Sequence, residues 1–198
     1  MENQISTEVI CLIDKSGSME SLRAETIDGL NAFIQEQQQD SSSCNFTLVQ
    51  FNHKVSVSLL RQPIHQVKKL SLSDYKPWGY TALYDALGMT LKQLIELIYL
   101  LPKVSKPDNV LVFIITDGLE NASSTYNKPV VQRLIQNLTD YNGWEFQFYG
   151  ANINAFAEAE NIGLKPDKAQ SWNFNKQGVA EMVKLMSQKS TEFRKFKF

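Results

Sequence analysis

The chain has 198 residues, of which 43% are hydrophobic and 21% are charged, and its formal net charge is −1. This length and composition are typical of a globular chain with a substantial core, so we expect a single domain over residues 1–198. The near-neutral charge argues against nucleic acid as the main partner, because nucleic-acid-binding proteins usually carry a clear basic excess.

The first residues are polar and lack the pattern of a secretory signal. No apolar stretch of the sequence approaches the length of a membrane span. We therefore expect a cytoplasmic protein without a membrane partner.

Strands and helices alternate along almost the whole chain. The runs at 8–14 and 109–116 are apolar on both faces, which is typical of strands buried in a parallel sheet. The link at 52–53 is so short that the strands it joins must pair antiparallel. In chain order, the pattern predicts a strand at 8–14, a helix at 19–38, strands at 44–51 and 54–60, a helix opening at Thr81, a strand at 109–116, a helix at 128–141, a strand at 144–149, a short helix at 155–161, a weak strand at 171–174 and a helix at 176–195.

This alternation predicts a doubly wound, Rossmann-like α/β fold. We expect a mostly parallel six-stranded sheet with one antiparallel edge strand and with helices on both faces. The helix at 128–141 should turn Val130, Val131, Leu134, Ile135 and Leu138 inwards. Cys11 and Cys44 fall at strand positions and are predicted to be small buried residues in a reducing compartment.

Two of the buried strands end in an aspartate. Asp14 closes the first strand and is followed by Lys15-Ser16-Gly17-Ser18, and Asp117 follows the fourth strand. The carboxyl ends of strands in an open α/β sheet are where ligands bind. Carboxylate and hydroxyl oxygens together are suitable ligands for a hard cation.

Three separate motifs in the chain resemble those of von Willebrand factor type A (vWA) domains, and the resemblance covers nearly the whole sequence. That family has a metal-ion-dependent adhesion site (MIDAS) made of Asp-x-Ser-x-Ser, a distant threonine and a distant aspartate. The resemblance implies the strand order 3-2-1-4-5-6 and a complete site in a stand-alone, intracellular, prokaryotic-type member. The matching residues are Asp14, Ser16, Ser18, Thr81 and Asp117.

Oxygen ligands of this kind suit Mg²⁺, with Mn²⁺ or Ca²⁺ as alternatives. Three of the five predicted ligands are neutral hydroxyls, so the cation would keep an affinity for a further carboxylate. The resemblance implies a divalent-metal-dependent protein-binding module whose partner presents an Asp or Glu. It also implies a role in a signalling, stress-response or AAA+ ATPase-associated assembly.

Each predicted ligand also has a purely structural interpretation. Ser16 and Thr81 could cap the helices that follow them, and Gly17 could serve only the turn. The two aspartates could cap helices or hydrogen-bond loop amides.

Two other functions fit parts of the sequence less well. A metal-dependent phosphohydrolase would also place Asp14 at a strand tip, but haloacid-dehalogenase-type enzymes need a second aspartate where this chain has Ser16. We therefore expect no enzymatic activity and no catalytic residue. Nucleic-acid binding, known for some relatives of this fold, is disfavoured by the charge.

Several residues near the predicted site could shape a partner surface or simply pack within loops. Exposed aromatic side chains beside a site can hold a partner. The C-terminal segment 193–198 mixes aromatic and basic residues and is interpreted as a helix end rather than a partner- or membrane-docking segment. The residues near the site are Trp78, Tyr80, Glu120, Asn121, Asn152 and Asn154.

Overall fold

The computed structural model describes residues 5–196. Its strands are β1 (Ser6–Asp14), β2 (Ser43–Phe51), β3 (Val55–Pro63), β4 (Asn109–Thr116), β5 (Glu145–Gly150) and β6 (Ala169–Ser171). They form one six-stranded sheet in the order β3-β2-β1-β4-β5-β6. Within it, β2 and β3 pair antiparallel and the other neighbours pair parallel. The predicted fold class and strand order are confirmed.

Helices cover both faces of this sheet. The α-helices of the described residues are α1 (Arg23–Gln37), α2 (Leu83–Leu100), α3 (Lys128–Asn142), α4 (Ala155–Asn161) and α5 (Lys176–Phe193). The buried side chains of α1 and α5 form one core layer, and those of α2, α3 and α4 form the other. Neighbouring residues of β1, such as Cys11 and Leu12, belong to opposite layers. This explains why the strand is apolar at consecutive positions.

Some element boundaries differ from the predictions. The helix expected at 19–38 begins with a 3-10 segment, Gly17–Leu22, before α1. The last strand is Ala169–Ser171 rather than 171–174. Its pairing stops there because Ser171 lies opposite Gly150, the last residue of β5.

The inward face of α3 is narrower than predicted. Val131, Ile135 and Leu138 are buried, as expected from their spacing. Val130 is 47% exposed, so its predicted inward orientation is wrong, and Leu134 is only partly buried. The buried stripe of α3 is therefore limited to positions i, i+4 and i+7.

The C-terminal end of α5 is held by a buried arginine. The Arg194 guanidinium donates hydrogen bonds to the backbone carbonyls of Gln37, Asp40 and Ser42. Phe193 is buried and Phe196 is 64% exposed. The helix-end interpretation of this segment therefore applies to its first two residues, while residues 197 and 198 lie outside the described part of the chain.

Both cysteines are buried free thiols, as predicted. Burial raises the pKa of Cys11 and of Cys44 to about 12, so both are neutral at physiological pH.

Within residues 5–196, no helix combines the length and the apolar character that crossing a lipid bilayer requires.

The topology creates a crevice where β1 and β4 lie side by side. The chain leaves β1 through α1 on one face of the sheet and leaves β4 through α3 on the other. The carboxyl ends of two such strands are separated by a gap that neither connection fills. Asp14 and the residue after β4, Asp117, stand at this gap.

Candidate metal centre

Asp14 is fixed in the crevice by hydrogen bonds to both of its carboxylate oxygens. The Ser16 backbone N–H donates to Asp14 Oδ1 at 2.6 Å, and the Thr116 hydroxyl donates to Oδ2 at 2.7 Å. Asp14 is fully buried. Burial raises its pKa to about 6, although the hydrogen bonds from Thr116 and Ser16 lower it, and the charge of Asp117 raises it further.

The predicted site residues form one connected polar group. The Ser16 and Ser18 hydroxyl oxygens lie 3.1 Å apart, and the Ser18 hydroxyl donates to Asp117 Oδ1 at 2.8 Å. On the other side, the Thr81 hydroxyl is 3.5 Å from Asp14 Oδ2. The structure therefore brings all five residues to the same crevice. Four of them are at most 4% exposed, and only Ser18 is exposed, so the group opens to solvent on the Ser18 side.

Asp117 has a buried carboxylate oxygen whose hydrogen-bonding capacity is not satisfied within residues 5–196. Its Oδ2 atom is buried and has no hydrogen-bond partner among the described residues. Burial raises the pKa of this carboxyl group, which means that its charged form is poorly solvated. A buried acceptor without a partner costs free energy, and a cation would relieve that cost.

The donor set fits a hard cation. In the described range, no group of three or more His, Cys, Asp and Glu side chains is arranged to hold a metal. Any cation here must therefore use hydroxyl oxygens together with the two carboxylates. Oxygen ligands of this kind suit Mg²⁺ or Mn²⁺.

Within the described part of the chain, neither the Ser16 hydroxyl nor the Thr81 hydroxyl caps a helix. Ser16 precedes the 3-10 segment, but its hydroxyl contacts the Ser18 hydroxyl. Thr81 lies before Ala82, which occupies the N-cap position of α2, and its hydroxyl faces Asp14. Asp14 does bind the loop amide of Ser16, as its structural interpretation predicted.

The loop that carries Thr81 is held against the first motif. The Gly17 N–H donates to the Gly79 carbonyl at 3.0 Å. Asn52 donates from its side-chain amide to the Trp78 carbonyl and accepts at its backbone carbonyl from the Ala82 N–H, each at 2.8 Å. Gly79 has a φ of +79°, and a Cβ there would lie 2.4 Å from the His53 ring. A glycine is therefore needed at this turn.

Two buried side chains that support Asp14 were missed in the sequence. Thr116 donates to the Asp14 carboxylate, and the Tyr75 hydroxyl donates to the Asp14 backbone carbonyl. Thr116 had a sequence signal, because it is a polar residue at the tip of an apolar strand. Tyr75 had none, since it lies in the irregular stretch between Pro63 and Pro77.

The neighbouring residues divide into two groups. Trp78 and Tyr80 are 52% and 70% exposed beside the crevice. Trp78 also packs edge-on against His53, with the ring centres 4.4 Å apart. Glu120 and Asn121 instead bind backbone amides around Thr81.

The two asparagines after β5 have local structural roles. Asn154 caps α4 by accepting from the Ala157 N–H, as a residue that packs within its loop would. Asn152 takes a left-handed backbone conformation, with a φ of +55°. These observations assign neither residue a contact with the predicted site.

This geometry defines the class of protein. It is a doubly wound α/β domain with a polar crevice between β1 and β4, the two strands whose connections run on opposite faces of the sheet. The sequence model described as the von Willebrand factor type A domain matches residues 8–188. The chain therefore belongs to the vWA domain family. No curated protein sequence gives a significant match.

Solved structures show the same fold at low sequence identity. The vWF domain of the type V pili tip protein Mfa5 from Porphyromonas gingivalis is 11% identical, with a TM-score of 0.68 and 96% of each chain covered. Proximal thread matrix protein 1 from the mussel byssus, solved with a zinc-occupied MIDAS motif, is 16% identical, with a TM-score of 0.65 and 93% of this chain covered. The present chain spans about half of that protein, 46% and 48% in two of its structures.

Proposed function

We propose that this chain is a divalent-metal-dependent protein-binding module with a complete MIDAS. The cation would be held by Asp14, Ser16, Ser18, Thr81 and Asp117. The observation that carries the proposal is the buried, unpartnered Oδ2 of Asp117, which lies in a group of three hydroxyls and a second buried carboxylate.

The proposed partner is a protein that presents an Asp or Glu side chain. A bound cation would supply an open coordination position to that carboxylate. Three of the five proposed ligands are neutral hydroxyls, and the crevice opens to solvent on the Ser18 side, where a carboxylate of the partner could reach the cation. The zinc-occupied motif of the byssus protein supports a metal at this place in the fold.

The biological setting extends this proposal. We place residues 1–198, as one domain, among cytoplasmic vWA proteins of prokaryotic type. We propose Mg²⁺ as the cation, with Mn²⁺ or Ca²⁺ as substitutes, and a signalling, stress-response or AAA+ ATPase-associated assembly as the context. vWA domains in general are interaction modules, which supports binding rather than catalysis.

Metal binding is the first test. Isothermal titration of the metal-free protein with Mn²⁺ should show one site, and Asp14→Ala and Ser16→Ala should remove it while their far-UV circular dichroism stays that of the wild type. Wild-type protein that binds no Mn²⁺ or Mg²⁺, or variants that bind normally, would refute the assignment of these ligands.

Partner binding is tested separately with immobilised protein. Lysate of the source cells is passed over wild-type and Asp14→Ala columns, once with Mg²⁺ and once with EDTA. A protein retained only by the wild type and only with metal supports the proposal and identifies the partner. Retention that is insensitive to both EDTA and the substitution would place the interface away from the crevice.

A further inference from the structure

The first turn of α2 is capped by residues from another part of the chain. Ala82 occupies the N-cap position and has no side-chain acceptor to offer. The Tyr84 N–H instead donates to Glu120 Oε2 at 2.9 Å, and the Asp85 N–H donates to the Ser123 hydroxyl at 3.0 Å. Two of the helix amides that normally need a cap are thus satisfied by the segment after β4.

The same segment also binds the peptide groups of Thr81 from both sides. The Thr81 N–H donates to Asn121 Oδ1 at 2.9 Å. The Thr81 carbonyl accepts from the N–H groups of Asn121 and Ala122 at 2.9 and 3.2 Å. The backbone that carries the threonine hydroxyl is therefore held in place by two consecutive residues of this segment.

The contact is reciprocal, because α2 in turn organises the segment. The Asp85 carboxylate accepts from the backbone N–H groups of Ser124, Thr125 and Tyr126, at 2.7 to 2.9 Å. The Tyr126 ring packs against Gly88, where a Cβ would come within 2.2 Å of it. Residues 118–126 and the start of α2 are thereby joined into one hydrogen-bonded unit.

This unit connects two of the proposed ligands that are distant in sequence. Segment 118–126 begins directly after Asp117. Its Asn121 side chain accepts from the Thr81 N–H, and the N–H of its last residue, Tyr126, donates to Asp85 on α2, the helix that follows Thr81. The Thr81 hydroxyl lies close to Gly118, since a Cβ built on that glycine would be 3.2 Å from Thr81 Oγ1. The separation of Asp117 from Thr81 is therefore fixed by this segment.

We propose that Glu120, Asn121 and Ser123 are positioning residues of the metal site. They fix Thr81 relative to Asp117 and set the affinity for the cation without binding it. This inference rests on the proposed function, since it assumes that Thr81 and Asp117 share a cation. Residues that orient metal ligands in this way contribute strongly to affinity.

Neutral substitutions test this role without changing the charge near the metal. Asn121→Ala removes the acceptor for the Thr81 N–H, and Ser123→Ala removes the acceptor for the Asp85 N–H. Each should raise the Kd for Mn²⁺ by about tenfold, as loss of an outer-shell partner does. Asn127→Ala is the matched control, because Asn127 accepts from the Val130 N–H at the start of α3 and makes no contact with Thr81 in the described structure.

A double-mutant cycle then asks whether Asn121 acts through Thr81. In a Thr81→Val background the threonine hydroxyl is absent, so adding Asn121→Ala should cause no further loss of Mn²⁺ affinity. Thermal unfolding of each metal-free variant reports stability separately. If Asn121→Ala does not fold, Ser123→Ala with the same background is measured in its place.

The outcomes separate this inference from the function on which it rests. If wild-type protein binds Mn²⁺ and both Asn121→Ala and Ser123→Ala bind it equally well, the positioning role is refuted and the metal site stands. Additive losses in the Thr81→Val background, or an equal loss in Asn127→Ala, also refute it. If wild-type protein binds no Mn²⁺, the proposed function and the positioning role both fail.

Discussion

At the scale of single residues, the crevice keeps two carboxyl groups in an environment that disfavours their charge. Burial raises the pKa values of Asp14 and Asp117. Sites built for function often hold groups in states that cost stability. The metal-free protein should therefore gain stability when this charge is removed, even though the cation would be lost.

Asp117→Asn separates these two effects because it keeps the shape of the side chain and removes its charge. We expect the metal-free variant to unfold at the same temperature as the metal-free wild type or above it. Wild-type protein at a Mn²⁺ concentration of about 100 times Kd should gain about 2.7 kcal/mol, or about 5–10 °C in unfolding temperature for a chain of this size. The variant should gain nothing from Mn²⁺, as measured by differential scanning calorimetry.

An exposed carboxylate provides the control for that measurement. Asp167 is 68% exposed at its side chain and lies just before β6, an edge strand, whereas the crevice is at the central strands β1 and β4. Asp167→Asn should leave the stabilisation by Mn²⁺ unchanged. A metal-free Asp117→Asn protein that unfolds well below the wild type would show that the carboxylate serves the fold.

The five proposed ligands were predicted from short local patterns together with the resemblance to vWA domains, which connects Thr81 with the other four. Asp14, Ser16 and Ser18 lie within five residues, and Asp117 follows a buried strand. The support around them could not be found in this way. Tyr75 contacts Asp14 across 61 positions of sequence, and hydrogen bonds of that range depend on how segments are placed in three dimensions.

At the scale of secondary-structure elements, a buried ion pair joins the edge strand to the centre of the sheet. Arg61 on β3 donates to Glu8 on β1 at 2.9 Å, past the intervening strand β2. A bulge in the β2–β3 pairing allows this reach, because the register shifts there and Arg61 takes a φ of +46°. Thr47 on β2 completes the network by donating to Glu8 and accepting from the Arg61 N–H.

This network predicts a pH dependence of stability. Burial raises the pKa of Glu8 above its ordinary value of 4.5, although the hydrogen bond and charge of Arg61 oppose the shift. A raised pKa in the folded state means that stability is highest below the unfolded pKa and falls as pH rises through the folded pKa. The stability of the wild type relative to Glu8→Gln should therefore decrease from pH 4.5 towards neutral pH, as measured by urea unfolding.

An increase with pH in the stability of the wild type relative to Glu8→Gln would contradict this prediction. If the advantage of the wild type grows with pH, pairing with Arg61 outweighs the burial of the Glu8 charge. Glu96→Gln, on the exposed surface of α2, controls for the loss of a carboxylate in general.

The bulge also explains why the end of β3 was predicted incorrectly from the sequence. The third strand was expected at 54–60 and extends to Pro63. A proline within a run is a signal to end a strand, but an edge strand tolerates it because its outer side needs no partner. The sequence pattern therefore located β3 and its antiparallel pairing, whereas its end depended on the bulge and on its place at the edge.

At the scale of the whole molecule, alternation and the vWA resemblance together predicted the strand order, which the structure confirms. They could not predict side-chain contacts between segments that are distant in the sequence. Arg194 at the end of α5 binds residues near the start of β2, more than 150 positions away in the chain. No periodicity encodes such a contact, since it arises only when α1 and α5 pack on the same face of the sheet.

Helix α2 begins beside the polar crevice and runs away from it. Helix α2 has 18 residues and so is about 27 Å long. Tyr80 is 70% exposed before its first turn, and Tyr99 is 76% exposed at its last turn. The two tyrosines are similar in type and exposure, but only Tyr80 lies on the loop that carries Thr81, which is held by Asn52 and Gly17.

Tyr80→Ala should therefore weaken partner binding without altering the metal site. An exposed aromatic side chain on a fixed loop beside the contact point is the kind of residue whose truncation costs about 2 kcal/mol, or roughly thirtyfold in Kd. Surface plasmon resonance with the partner recovered on the metal-dependent column measures this loss, and Mn²⁺ titration should give the wild-type Kd. Tyr99→Ala should leave both values unchanged. A loss in Tyr99→Ala, or none in Tyr80→Ala, would place the partner away from the threonine loop.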